Sequence, residues 1–360
     1  MCAAPPTLLK RSAVLYHDNQ NREENMASIA TRRLGKTSLN VTAVGLGCAS
    51  LAGNIEPVRD DAARLVVVDA YDSGIRYFDT SPFYGYGRSE HLVGDELRSR
   101  TDWVLSTKVG RVLSRRRNPQ DPRDKWRDPL PLEPRFDYSY DGMMRSYEDS
   151  IQRLGLGRID ILYMHDLDIW SHGGNKEVQA AYFKTAMESG YKALDQLRAS
   201  GDIKAIGLGV NDAQPIADAM KNGRWDAFLL AGRYTLLEQG PLKTVLPEVA
   251  RHGASIVIGG PFNSGILVGG TTFDYDKAPP AVVDKVGRMA RLCNAHKVPL
   301  AAAALQFPLA NPVVASVIPG PRSAGELNQI LEWWNFPVPA SLWSDLKTEG
   351  LLDKDAPTPK

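Results

Sequence analysis

Four side chains in this 360-residue sequence carry chemistry that fits together: Asp79, Tyr84, Lys108 and His165. A tyrosine hydroxyl with an ordinary pKa near ~10 is a poor base at neutral pH. A lysine ammonium ~4 Å away favours the phenolate by up to ~4 kcal/mol at an effective dielectric of ~20. That attraction is worth about three pKa units at ~1.36 kcal/mol each, before burial acts in the opposite direction. The aspartate holds the lysine charged and oriented, and the histidine can hydrogen-bond the oxygen of a reacting carbon. The four together make an acid–base set. No serine-nucleophile motif and no metal-ligand cluster competes with it, so no metal is expected.

The elements that must position these groups alternate along the chain. Apolar, β-branched runs read as strands: VTAVGLG (41–47), GIRYFD (74–79), WVLSTKV (103–109), IDILYMH (159–165), IKAIGLGV (203–210), WDAFLL (225–230), ASIVIG (254–259) and VVASVIP (313–319). Helical patterns such as RDDAARLVVVDAYDSG and YDGMMRSYEDSIQRLG lie between them. In the second, Met143, Met144, Tyr147, Ile151 and Leu154 form one apolar stripe, which Gly155 ends. Strand–helix alternation demands parallel pairing. Eight such units favour a closed (β/α)8 TIM barrel over an open doubly wound sheet. A short hairpin, TRRLGKTSLNV, precedes the first unit and is expected to plug the barrel floor.

On such a barrel Asp79 ends the second strand, Tyr84 follows in the loop TSPFYGYGRSE, Lys108 lies near the end of the third, and His165 ends the fourth. All four therefore point to the carboxyl-end rim, where barrel enzymes keep their chemistry. Two long segments after strands, 110–138 and 166–178, are expected as aperiodic loops on that catalytic face. Phe83, beside Tyr84, is a candidate pocket wall, and Trp126, Trp170 and His172 are further candidates from the loops. The organisation expected is a disordered extension over 1–28, one barrel domain over 29–350 and a tail over 351–360. Met26 is a candidate alternative initiator.

The charge balance, Lys+Arg 43 against Asp+Glu 42, gives no electrostatic reason to expect nucleic acid or a membrane as partner. Acidic residues interleave the Arg115–Arg117 cluster, which reads as a solvated loop. Three scattered cysteines support neither a disulfide framework nor a zinc site, so a reducing cytoplasm is the expected setting. No apolar run approaches the ~20 residues needed to span a bilayer. The oligomeric state stays open.

The segments GIRYFDTSPFYGYGRSEHLVGDEL, LSTKVG, RLGLGRIDILYMHD, IKAIGLGVN and IPGPRS make the chain similar to the aldo-keto reductase family over roughly residues 30–340. The resemblance implies Tyr84 as proton donor or acceptor, with Lys108, Asp79 and His165 as its partners. It also implies a nicotinamide cofactor that exchanges hydride with a small-molecule substrate. GLGCASLAG does not make a Rossmann fingerprint, because its glycines lack the G-x-G-x-x-G spacing.

VLSTKVGRVL, FDYSYDGMMRSYEDSIQRLGLGRIDILYMHDLD, AGRYTLLEQ and GGPFNSGILVGG resemble a narrower group, the aldose 1-dehydrogenases of L-fucose or D-threo-aldose type, with pyridoxal 4-dehydrogenase close by. The reaction implied is NAD-dependent oxidation of the anomeric C1 hydroxyl of a cyclic sugar to a lactone. Pyridoxal oxidation, general NAD(P)H aldehyde reduction and a non-catalytic role like that of potassium-channel β subunits are the alternatives.

At the cofactor positions the resemblance carries over Asn211 as a carboxamide ligand. It leaves Ala231 and Gly259 where the family has glutamine and a stacking tyrosine, so Phe262 is the substitute candidate for stacking. Gly320, Arg322 and Ser323 open a helix suited to phosphate. Glu326 falls where NADPH-preferring members have an arginine. A carboxylate there repels a 2′-phosphate and can accept from a ribose hydroxyl, so NAD is expected over NADP.

Overall fold

The β-branched runs become eight parallel strands in one sheet: β1 (Leu46–Gly47), β2 (Tyr77–Asp79), β3 (Val104–Val109), β4 (Ile161–His165), β5 (Ala205–Val210), β6 (Ala227–Ala231), β7 (Ser255–Gly259) and β8 (Val314–Ile318). This computed structural model describes residues 29–54, 56–118 and 125–360; the extension expected over 1–28, with Met26, lies outside the described residues. The strands follow chain order from β1 to β8. Val44 then pairs with Val317 and shuts the ring, with Val317 donating to the Ala43 carbonyl at 2.9 Å and Gly45 donating to the Val317 carbonyl at 2.9 Å. The architecture is a (β/α)8 barrel.

Side-chain alternation divides each strand between two environments. On β4, Ile161 and Tyr163 point into the barrel, while Leu162 and Met164 join the layer beneath the helices. On β2, Tyr77 points in and Phe78 out. The period of two therefore carries the inward face to Asp79, Lys108 and His165 at the carboxyl ends. Below them Tyr77, Ile161, Tyr163, Leu229 and Val257 fill the interior.

The N-terminal hairpin, Thr31–Arg33 paired antiparallel with Asn40–Thr42, closes the other end as expected. Its Leu34 and Val41 are fully buried among the barrel-interior side chains. Each such burial stabilises by roughly 1.5–3 kcal/mol. Arg32 fastens the hairpin by donating to the carbonyls of Leu309 at 2.8 Å and Val314 at 2.9 Å.

The helix Tyr140–Leu154 starts at Ser139, whose hydroxyl accepts from the Gly142 amide, and ends at Gly155 in the left-handed region. Residues 351–360, expected as a tail, pack onto the barrel: Leu351, Leu352 and Ala356 are buried, and Lys243 pairs with Asp353 and Asp355.

Two segments differ from expectation. Residues 110–138 do not form an aperiodic loop but contain an antiparallel hairpin, Arg111–Arg115 against Leu132–Phe136. Pro134 lies in its second strand opposite Leu113, and charges flank it, so alternation and β-propensity are both weak there. In 166–178, a short turn at Trp170–His172 precedes a helix that begins at Lys176, capped by the Asn175 side chain.

Candidate active site

Asp79 and Lys108 meet at the rim. Lys108 Nζ donates to Asp79 Oδ2 at 2.7 Å and to the Thr80 carbonyl at 2.9 Å, and Ser106 Oγ donates to Asp79 Oδ1 at 2.7 Å. Burial pushes the Asp79 carboxyl above the usual carboxylate range, while Lys108 pulls it back. Lys108 Nζ also lies 4.6 Å from the centre of the Tyr84 ring, and His165 meets that ring edge-on at 5.9 Å. The structure thus brings all four residues of the acid–base set together.

One electrostatic expectation is corrected. Lys108 was expected to ease ionisation of Tyr84, but the Tyr84 hydroxyl is raised well above its ordinary value. Burial is the main cause, with the Asp79 and Asp166 carboxylates adding to it. The Lys108 ammonium is committed to Asp79 and Thr80 and sits over the ring face, so in the free protein Tyr84 stays protonated.

His165 is held from several sides. Its Nδ1 is 3.1 Å from Ser81 Oγ, and its Nε2 is 3.5 Å from Asp166 Oδ2. Burial, then Lys108 and Arg111, lowers its pKa well below the ordinary histidine value, so the ring is neutral. Tyr138 fixes the backbone here by donating to the carbonyls of His165 at 2.6 Å and Asp166 at 3.0 Å. Gly110 makes room for it: at φ 98° this position favours glycine, and a Cβ there would lie 2.6 Å from the Tyr138 ring.

Asp166 and Arg111 escaped sequence reasoning. Asp166 follows His165 directly and turns its carboxylate into the site at φ 57°. It pairs with Arg111 and accepts from Asn211 Nδ2 at 3.3 Å. Arg111 is stacked between Phe83, 3.7 Å from its guanidinium carbon, and Phe136, at 4.3 Å. Position three beyond Lys108 on the next extended segment was the available signal for Arg111. Asp166 had only its adjacency to His165.

These residues line a cleft of about 580 Å3 above the tetrad. Phe83, Trp126 and Trp170 stand in its wall, as expected of pocket residues. His172 does not, because it is packed among Phe136, Tyr138 and Tyr182. Phe262 is not in the wall either; its ring packs edge-on against Trp333 at 5.7 Å. Tyr275 takes the mouth instead, stacked on Trp170 at 5.8 Å. It comes from a two-residue turn whose Asp274 and Tyr275 both have positive φ, and Asp274 is locked by Arg233 at 2.8 Å and 3.1 Å. Nothing local in the sequence marks so remote a residue.

The structure offers features that fit a nicotinamide dinucleotide beside this cleft. Asn263, in the loop after β7, is buried with its Oδ1 unpartnered among the described residues, an acceptor awaiting a donor. Gly232 and Gly260, both at positive φ, keep the neighbouring backbone bare of side chains. Asn211 commits its amide nitrogen to Asp166 and Asp168, which leaves its carbonyl end for a carboxamide. After β8, Ser323 caps the helix Ala324–Asn335 by accepting from the Glu326 amide. Gly320 is tightly packed, since a Cβ would lie 2.8 Å from Ser50 Oγ. Arg322 is gripped by Glu326 at 2.7 Å and by Glu56 at 2.9 Å. Burial acts upward on the Glu326 carboxyl, but hydrogen bonds from Arg322 outweigh it and hold it below the ordinary value.

A barrel with an Asp–Tyr–Lys–His set at its rim defines a class of oxidoreductase, and comparison with known proteins agrees. The Aldo/keto reductase family model matches residues 43–348, and the chain belongs to that family. It is 44% identical over 335 residues to pyridoxal 4-dehydrogenase of Microbacterium luteolum, covering 89% of this chain and 97% of the relative. It is 36% identical over 332 residues to D-threo-aldose 1-dehydrogenase of a Pseudomonas species, covering 89% and 96%. An aldo-keto reductase from Bacillus halodurans in its holo form shares the fold, with a TM-score of 0.71 at 23% identity over 90% of this chain and 96% of that one. The protein is an oxidoreductase acting on CH–OH groups with a nicotinamide cofactor.

Proposed function

We propose that the protein oxidises the hydroxyl-bearing carbon of a cyclic hemiacetal to a lactone, with NAD preferred over NADP. The observation that carries the reading is the Asp79–Lys108 pair beneath Tyr84, with neutral His165 facing the same cleft. When bound, the nicotinamide accepts the hydride from the carbon. Tyr84 takes the hydroxyl proton, so it must first be ionised, and Lys108 with Asp79 sets the field in which that happens. His165 hydrogen-bonds the substrate oxygen. Asn211, Asn263, Gly320, Arg322 and Ser323 hold the cofactor, and Glu326 disfavours a 2′-phosphate. The buried free thiols Cys48 and Cys293 suit a reducing cytoplasm.

Two substrates share this chemistry. An aldose of the L-fucose or D-threo type is supported by the resemblance to the sugar 1-dehydrogenases. Pyridoxal, in its hemiacetal form, is supported by the higher identity of its dehydrogenase. Arg111, with its guanidinium carbon over two phenyl rings and its Nε without a partner among the described residues, also suits a substrate bearing a phenolate. The test is NADH absorbance at mildly alkaline pH with L-fucose, D-arabinose and pyridoxal in parallel. Turnover of a sugar or of pyridoxal supports the reading and chooses between them. Silence on all three, with NAD and with NADP, overturns it.

A further inference from the structure

Ser81 lies in the loop after β2 and is fully sealed from solvent. Its Oγ accepts the Phe83 amide at 3.1 Å and lies 3.1 Å from His165 Nδ1, and these are its hydrogen-bond contacts among the described residues. A hydroxyl has one proton to give, and here the one acceptor in reach is Nδ1. If Nδ1 carried the proton instead, the Ser81 O–H would be left in the interior with no acceptor, a state buried donors avoid. Nδ1 therefore holds a lone pair, and the single proton of the neutral imidazole sits on Nε2.

On its other side the ring meets Asp166, with Nε2 3.5 Å from Oδ2. Asp166 is itself tied to Arg111 and Asn211, and the contact to Nε2 is a long one outside hydrogen-bonding geometry, so Nε2 stays available to the cleft. A donor facing the cleft stabilises charge gathering on a substrate oxygen as its proton leaves; a lone pair in that place would repel it.

We propose that Ser81 is a positioning residue that fixes His165 as the Nε2–H tautomer, so that the ring presents a donor to the oxygen of the reacting carbon. The proposal rests on the reading of His165 as the group that meets that oxygen. Its first half, the tautomer, is a property of the protein alone.

The direct test is the long-range ¹H–¹⁵N spectrum of the imidazoles, tractable with His 6 in the whole chain, with His165→Asn supplying the assignment. Nε2 protonated and Nδ1 bare at neutral pH is the expected pattern. A proton on Nδ1 overturns the proposal. In Ser81→Ala the two tautomers should mix, and kcat should fall about 10-fold or more with KM little changed. The fall should stay short of the ~10⁴ that a wrong tautomer costs the catalytic histidine of serine proteases. Ser81→Thr, which keeps the hydroxyl, should recover most of kcat. Ser81→Ala with an unaltered spectrum and unaltered kcat would sink the idea. If Ser81→Ala does not fold, the wild-type spectrum decides alone. Because that spectrum needs no substrate, failure of the hemiacetal assay leaves it standing, and the two failures are told apart.

Discussion

Lys108 Nζ stands 2.7 Å from Asp79 Oδ2 with both side chains all but sealed, 1% and 3% exposed. A buried pair of this kind adds little over an apolar pair of the same shape, yet removing one partner strands the other charge. Lys108→Met should therefore cost about 3–5 kcal/mol in urea unfolding as well as abolish most turnover. The double variant Asp79→Asn with Lys108→Met should regain part of that stability and none of the activity. A single variant within about 1 kcal/mol of wild type would show that the pair is not buried as described.

Tyr84→Phe should keep the fold, read by circular dichroism, and lose about 10²–10⁴ in kcat. The hydroxyl it removes ionises only above the ordinary tyrosine value in the free protein. The oxidation rate, as kcat/KM, should therefore climb with pH and still be rising at about pH 10. A plateau reached near neutrality would mean that another group takes the proton.

His165 ties stability to pH. Its folded-state pKa lies well below the unfolded value of ~6.5, so between the two the unfolded chain binds more protons. Its contribution is full above about pH 6.5 and is lost as pH falls, by up to ~1.4 kcal/mol per pH unit. Thermal unfolding followed from pH 7.5 down to pH 5 should show that loss, and His165→Asn should flatten it. His172, lowered chiefly by burial, acts in the same direction, so some slope should remain.

Glu326 grips Arg322 from the first turn of its helix. If the ribose 2′-hydroxyl meets Glu326, as proposed, Glu326→Arg removes a carboxylate from that position and releases Arg322 to meet a phosphate there. The ratio of kcat/KM for NADP over NAD should rise at least about 10-fold, equal to ~1.4 kcal/mol. An unchanged ratio would place the ribose elsewhere.

The barrel strands were legible because apolar, β-branched runs of six to eight residues, spaced by helices, leave few alternatives, and period two then dictates that Asp79, Lys108 and His165 share a rim. Tyr84 needed only its place in the following loop. Arg111 and Phe136 were hidden because their hairpin carries Pro134 and mixed charge, which erase the alternation that marks a strand. Tyr275 is far from the tetrad in sequence and reaches it through a strained turn held by Arg233, which no local pattern encodes. The ionisation of Tyr84 was misjudged for a related reason. Sequence places a lysine near a tyrosine, but only coordinates reveal that Thr80 and Asp79 already occupy the ammonium.

The hairpin Arg111–Phe136 is rooted at Gly110 on one side and Tyr138 on the other, and it contributes wall residues while supplying none of the tetrad. Both roots belong to the scaffold that orients His165, and Arg111 at the start of the hairpin ties it to Asp166 and Phe83, so a change of wall residue there also reaches the charge around His165.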